Sequence, residues 1–379
     1  MGKNIIGYGA RPPGEEEFAA HPSGVKGRGT LSNGSGRFER EHRVLIDDGW
    51  NTLDEEPPAL KTSVGIDATR TIIARNTSPD IPFDRSINPY RGCEHGCVYC
   101  FARPTHAYLG LSPGQDFESR LFAKPKAAQL LDAELRKAGY QVRSMALGTN
   151  TDPYQPIDER YKITREILKV LRDFRHPVGI VTKSNRVLRD IDILSEMAEM
   201  GLARVAISVT TLDRRLARAM EPRATSPPKR IEAMRLLADA GIPVAAMVAP
   251  IIPALNDHEI EDILETVRSA GAREAGYVLL RLPLELKDLF REWLTEAYPG
   301  RADRVISLMR SMHGGRDYVA EPREWGGRFR TTRALGVGEG LTIVLMFPKG
   351  MVAAPTLRMK FDRWLKDNRG EAVGVAGLL

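Results

Sequence analysis

The chain is poor in cysteine: its 379 residues contain three. All three, Cys93, Cys97 and Cys100, fall within one short stretch. An odd number of closely spaced thiols gives no disulfide framework, so a reducing compartment and a metal are the natural expectation. Long apolar runs are also missing. No stretch approaches the roughly 18 apolar residues that a transmembrane helix needs. The first ten residues lack the charged-then-apolar pattern of a signal peptide. Ile6 stands where a myristoylation signal wants Ser or Thr. These absences predict a cytoplasmic protein with no membrane partner. With 42% hydrophobic and 27% charged residues, collagen-like, coiled-coil and wholly disordered classes are excluded.

The length exceeds what one core usually fills, which predicts a large domain with appendages. Residues 1–61 carry 8 Lys and Arg against 10 Asp and Glu. Their Gly- and Ser-rich pieces, Gly24-Val25-Lys26-Gly27-Arg28-Gly29 and Ser32-Asn33-Gly34-Ser35-Gly36, build no core. This segment reads as a loop-rich arm, disordered or ordered only by lying on the main domain, with Val44-Leu45-Ile46 as a docking piece. Residues 301–379 carry 14 Lys and Arg against 8 Asp and Glu and read as a basic C-terminal extension. Such a charge attracts nucleic acid or simply forms a solvated surface.

Between them, 62–300 shows a repeated strand, loop and helix. Brief apolar runs at 144–147, 178–182, 204–209, 243–248 and 277–280 suit parallel strands covered on both faces. Helical stripes lie between: Ile163, Ile167, Leu171 and Phe174; Val187, Ile191, Leu194 and Met197; Ile260, Ile263, Leu264 and Val267. A helix over 231–238 follows Ser226-Pro227-Pro228. Asn256 with Glu259 three residues on predicts a capping box for the helix over 256–270. A further strand before Cys93 makes six βα units. The predicted fold is therefore α/β, a partial (β/α)6 barrel, with its site at the C-terminal ends of the strands.

The first loop there reads Arg91-Gly92-Cys93-Glu94-His95-Gly96-Cys97-Val98-Tyr99-Cys100. Three thiolates at C-x3-C-x2-C spacing can ligate three irons of a 4Fe–4S cluster and leave the fourth open. Gly92 and Gly96 let the loop curl. Zinc held by the cysteines with His95 or His106, or a metal-free group of buried thiols, fits the same residues. The later loops carry hydroxyls and charges: Gly148-Thr149-Asn150-Thr151-Asp152-Pro153 after the second strand, Thr182-Lys183-Ser184 after the third, Ser208 to Thr211 on the fourth. Thr and Asp side chains there suit an amino group and a ribose, and Lys183 suits a carboxylate. Arg223 offers a second anion-binding group, and Pro250-Ile251-Ile252-Pro253 a loop over a base.

The cysteine motif, with Tyr99 before its last cysteine, resembles the radical S-adenosylmethionine (SAM) superfamily. The resemblance implies a 4Fe–4S cluster on Cys93, Cys97 and Cys100, with SAM chelating the open iron and cleaved on reduction to a 5′-deoxyadenosyl radical. It also implies an external one-electron reductant of flavodoxin or ferredoxin type. Within the superfamily, Gly148 to Asp152, Thr182-Lys183-Ser184 and Ser208 resemble the spore photoproduct lyase-related branch, which implies Thr151, Lys183 and Ser208 in contact with SAM and a DNA or RNA substrate; Tyr99, Asp152 and Arg223 complete the candidate cofactor-binding residues. Two positions depart from that branch. Thr149 stands at or near its hydrogen-donating cysteine, and Phe101 at its relay tyrosine. Tyr99 and Thr149 are the catalytic candidates. In the basic extension, Arg323, Arg328, Arg330 and Arg333 interleave with Trp325 and Phe329, suited to phosphates and stacked bases. A zinc-containing nucleic-acid-binding protein and a non-catalytic Fe–S scaffold are the alternative functions.

Overall fold

The computed structural model describes residues 27–39, 60–76 and 83–312, together with the backbone of one strand at 342–345. Its strands in chain order are β1 (Ser63–Ile66), β2 (Ala74–Arg75), β3 (Arg85–Ile87), β4 (Tyr90–Arg91), β5 (Arg120–Ala123), β6 (Met145–Leu147), β7 (Val178–Thr182), β8 (Ala203–Ser208), β9 (Val244–Ile251), β10 (Glu274–Leu279) and β11 (Thr342–Leu345). The helices are α1 (Gln115–Ser119), α2 (Ala127–Leu135), α3 (Asp158–Tyr161), α4 (Ile163–Asp173), α5 (Ile191–Glu199), α6 (Arg214–Met220), α7 (Pro227–Asp239), α8 (Ile260–Ser269), α9 (Leu286–Ala297) and α10 (Pro299–Met312).

Eight strands form one open sheet in the order β11-β10-β9-β8-β7-β6-β3-β2. Every neighbouring pair from β3 to β11 is parallel, and β2 alone is antiparallel. The strands β3, β6, β7, β8, β9 and β10 are the six expected from the sequence. The consecutive order from β6 to β10 follows from helical crossovers that return each chain beside its predecessor. Among the described residues the two outer strands do not meet, so the barrel is partial, as the repeat count predicted. Two additions were not legible: β2, and β11, which brings part of the segment read as a C-terminal extension onto the same sheet.

The helical stripes became core faces. Ile163, Ile167 and Leu171 of α4, Leu194 and Met197 of α5, and Ile263 and Val267 of α8 are buried against Ile180, Val205, Ile207 and Ala246. Ile180 on the central strand is 1% exposed. Ile180→Val should therefore cost about 0.5–1.5 kcal/mol, read as a lower urea midpoint at unchanged slope.

The predicted capping box fails. The helix begins only at Ile260, and Asn256 turns inward instead. Its amide donates to Thr210 O at 2.8 Å and Pro250 O at 3.0 Å, and its Oδ1 accepts from Ile252 N at 2.6 Å. Glu259 accepts from the Thr211 hydroxyl and the backbone N–H groups of Leu212 and Asp213. Both side chains therefore bond loop groups of the β8 and β9 ends, because those buried donors and acceptors have no ladder partner.

A small second sheet, β1-β5-β4, stands beside the main one and frames the cysteine loop. Its strand β4 runs directly into that loop. A second apolar cluster joins Cys97, Val98 and Tyr99 to Met220, Ile252, Phe290, Trp293 and Leu294. The cysteine loop is thus packed from below by α6, the β9 end and α9.

Candidate functional site

The loop after β4 carries all three thiols. Cys93 and Cys97 are buried and Cys100 is half-buried. Gly92 and Gly96 take φ values of +73° and +68°, the left-handed region that side chains disfavour. Backbone bonds pin the loop at both ends, with Cys93 N donating to Phe117 O at 2.9 Å and Val98 N to Met220 O at 3.0 Å. Buried Gln155 braces the middle, accepting from Glu94 N at 2.9 Å and donating to Gly92 O at 3.2 Å. Arg103, fully buried, donates to Cys97 O at 2.9 Å. Neither brace was singled out from the sequence. No local pattern marks them, because each acts on a backbone carbonyl or amide brought close only by the fold.

Burial pushes all three thiols above their ordinary range; Lys183 pulls Cys97 partly back, and Arg103, with Lys183 adding less, pulls Cys100 partly back. Thiolates in such a place need a positive partner held by the protein. Among the described residues, no three His, Cys, Asp or Glu side chains converge on a point that one metal ion could bind. Of the histidines named for a zinc site, His95 has neither ring nitrogen hydrogen-bonded among the described residues, and His106 keeps its Nδ1 unpartnered. His95 Nδ1 lies 3.4 Å from Asp152 Oδ2, and His106 Nε2 lies 2.9 Å from Arg120 O. Three thiols on one loop are a donor set suited to a metal centre.

His106 is buried edge-on against Phe117, with ring centroids 5.4 Å apart. Burial pushes its pKa down from 6.5 to about 4, against a smaller upward pull from the Arg120 carbonyl. The unfolded chain then binds the extra proton between pH 6.5 and 4. The stabilising effect of the neutral ring is full above about 6.5 and is lost as pH falls through that window. Stability of metal-free protein should drop there with a contribution from this residue of about 1.4 kcal/mol per pH unit at most. In His106→Gln that contribution should vanish, as urea unfolding at several pH values would read.

The strand-end residues gather around the loop, several in roles other than those expected. Asp152 is pinned on every side. Its Oδ1 accepts from the Thr182 hydroxyl at 2.7 Å and Tyr154 N at 2.9 Å, and its Oδ2 from Lys183 N at 2.7 Å. Burial would raise its pKa, yet His95 and these donors hold it down to about 2. It therefore ties the β6 and β7 ends to the cysteine loop. Thr151, expected at a ligand, donates its hydroxyl to Tyr90 O at 2.9 Å. Arg223 donates to Glu94 Oε1 at 2.6 Å, and its N–H to His95 O at 3.3 Å. It binds the loop itself. Lys183 is half-buried with its Nζ 5.7 Å from the Tyr99 ring centroid, beside the thiols. Ser208 is buried, and its hydroxyl has no partner among the described residues.

Tyr99 lies inside the barrel mouth. Its hydroxyl donates to the Glu221 carboxylate and lies 3.2 Å from Thr210 Oγ1. Glu221 also pairs with Arg230, both buried, and Arg230 donates to Ser208 O at 3.0 Å. Thr149 stays at the rim, bonded to Asn88 at 3.3 Å. Phe101 is 56% exposed. The arginine and aromatic cluster from Arg323 to Arg333 lies outside the described residues, as does Val44-Leu45-Ile46.

Among known proteins, a family model described as the radical SAM superfamily matches residues 87–267. An uncharacterised protein of Mycobacterium tuberculosis strain H37Rv is 36% identical over 232 residues, which is 61% of this chain and 68% of that protein. An uncharacterised protein of Methanocaldococcus jannaschii is 32% identical over 213 residues, 56% of this chain and 76% of that one. Among solved structures, spore photoproduct lyase with bound AdoMet and dinucleoside spore photoproduct aligns with a TM-score of 0.46 at 17% identity, over 62% of this chain and 66% of that chain. Streptococcus suis SuiB bound to S-adenosylmethionine aligns with a TM-score of 0.39 at 16% identity, over 58% of this chain and 47% of that one. Among the described residues, no helix is long and apolar enough to cross a membrane.

Proposed function

The chain belongs to the radical SAM superfamily and is a radical SAM enzyme, and from that premise we propose that Cys93, Cys97 and Cys100 hold a 4Fe–4S cluster that binds and reduces SAM. The observation that carries this reading is the placement of three thiols, two buried and one half-buried, on one loop beside the C-terminal ends of the parallel strands. When bound, the cluster and SAM supply a one-electron cleavage whose 5′-deoxyadenosyl radical takes a hydrogen atom from substrate.

The chain's own residues bind and orient. Lys183 supplies the positive charge beside the thiols and offers a partner for the SAM carboxylate. Ser208 offers a hydroxyl at the adjoining strand end, suited to a ribose. Asp152, Thr151 and Arg223 act one step back, by holding the β6 end and the cysteine loop in register. Tyr99 closes the floor through Glu221 and excludes water from the thiols. An external one-electron reductant, of flavodoxin or ferredoxin type, is the partner such a site requires. Half-buried Cys100 and exposed Phe101 mark the side open to it.

The substrate belongs to the same proposal. DNA or RNA is favoured by the sequence resemblance and by the 14 Lys and Arg of residues 301–379. Thymine-dimer repair by the parent route is disfavoured, because Thr149 stands where a hydrogen-donating thiol is expected and the chain has no fourth cysteine. A hydroxyl is a poor hydrogen-atom donor. The three relevant alternatives separate in one preparation. Anaerobically reconstituted protein should bind about four irons per chain and, once reduced, yield 5′-deoxyadenosine from SAM. Deuterated oligonucleotides should pass label into that product. Iron without SAM cleavage would favour a scaffold, and one zinc per chain in colourless protein would sink the proposal.

A further inference from the structure

Residues 28–33 of the N-terminal arm are threaded against the back of the cysteine loop. Their hub is Glu118, a fully buried carboxylate. Its Oε1 accepts from Arg103 Nη2 at 2.5 Å, Thr30 N at 3.0 Å and the Thr30 hydroxyl at 3.1 Å. Its Oε2 accepts from Gly29 N at 2.8 Å. Arg103, equally buried, passes the connection on through its bond to Cys97 O at 2.9 Å.

A second link runs through Arg28. It donates to Glu118 O at 2.8 Å and to Thr62 Oγ1 at 3.1 Å. The Thr62 hydroxyl in turn donates at 2.8 Å to Glu94, the residue after Cys93. A third link is steric. A Cβ on Gly29 would sit 1.7 Å from Gly96 O, so only glycine lets the arm lie this close to the loop. Beyond it, Ser32 donates to Glu292 of α9 at 2.7 Å, and Asn33 exchanges two hydrogen bonds with Asp116.

We infer that residues 28–32 are a positioning clasp for the cluster loop, acting through Glu118 and Arg103 to hold the three thiols in their buried arrangement. The inference rests on the cluster reading above. Three of the four donors on the Glu118 carboxylate come from the arm. Lifting the arm would strand a buried carboxylate and loosen the Arg103 pair that grips Cys97, so the arm and the loop move together.

The three cysteines of the chain all lie in this loop, so total thiol reactivity reads the loop directly. Reduced, metal-free full-length protein would be alkylated with iodoacetamide, and reconstituted protein challenged with a ferrous chelator. Gly29→Ala and the milder Thr30→Val should raise both the alkylation rate and the rate of iron release, by about tenfold for Gly29→Ala. The far-UV spectrum and the unfolding midpoint of the sheet should hold. Glu118→Gln should raise both rates as well, with a lower unfolding midpoint because Arg103 loses its buried counter-charge, and Gly29→Ala keeps the test alive should that variant not fold. Wild-type protein that takes up no iron would overturn the site reading and the clasp with it. Iron-loaded wild type, alongside variants that react and release iron at its rate, would overturn the clasp alone.

Discussion

Cys97→Ala should take reconstituted protein from about four irons per chain to nearly none, and 5′-deoxyadenosine formation to background. Cys93→Ala and Cys100→Ala should behave alike. The chain holds no fourth cysteine to substitute. The fold should survive, because the loop sits on a sheet whose core lies elsewhere. Iron and sulfide assays, with circular dichroism as control, read both halves of the expectation. Full iron and SAM cleavage in Cys97→Ala would refute the three-thiolate assignment.

Glu221→Ala should lower stability by about 3–5 kcal/mol, because it leaves the Arg230 guanidinium buried without its counter-charge. Both side chains are almost wholly inaccessible, at 0% and 2% exposure. The loss should exceed that of Tyr99→Phe, which removes one hydroxyl and leaves Glu221 still paired with Thr210 at 2.8 Å. Tyr99→Phe should cost about 1 kcal/mol. Urea unfolding of the metal-free variants separates the two. Equal losses would mean that Glu221 acts on the Tyr99 hydroxyl rather than on the Arg230 charge.

Much of the region's architecture is written in its apolar pattern. Apolar runs of five or so residues, alternating with stripes such as Ile163, Ile167 and Leu171, specify buried strands and one-sided helices through burial alone. The cysteine spacing likewise carries the family resemblance, and the radical SAM family model that matches residues 87–267 spans it. Which partner each strand-end group meets is less legible. Thr151 and Asp152 have the right chemistry for a ligand, yet their groups are spent on Tyr90 O, Thr182 and the Lys183 backbone. A side chain's chemistry does not say which partner it will meet.

Local facts come from the residue pattern alone: six βα units, a loop of three thiols, and hydroxyls with a lysine at the strand ends. How that loop is held comes from contacts far apart in the chain. The Gly29 to Glu118 bond spans 89 positions and the Arg223 to Glu94 bond 129. Nothing in either segment announces the other. Residues 28–33 carry too little apolar surface for periodicity to place them, and they are held in part by backbone N–H groups given to one buried carboxylate. Backbone donors are the same at every residue, so a site built from them leaves no mark in the sequence beyond a glycine where the two chains must touch.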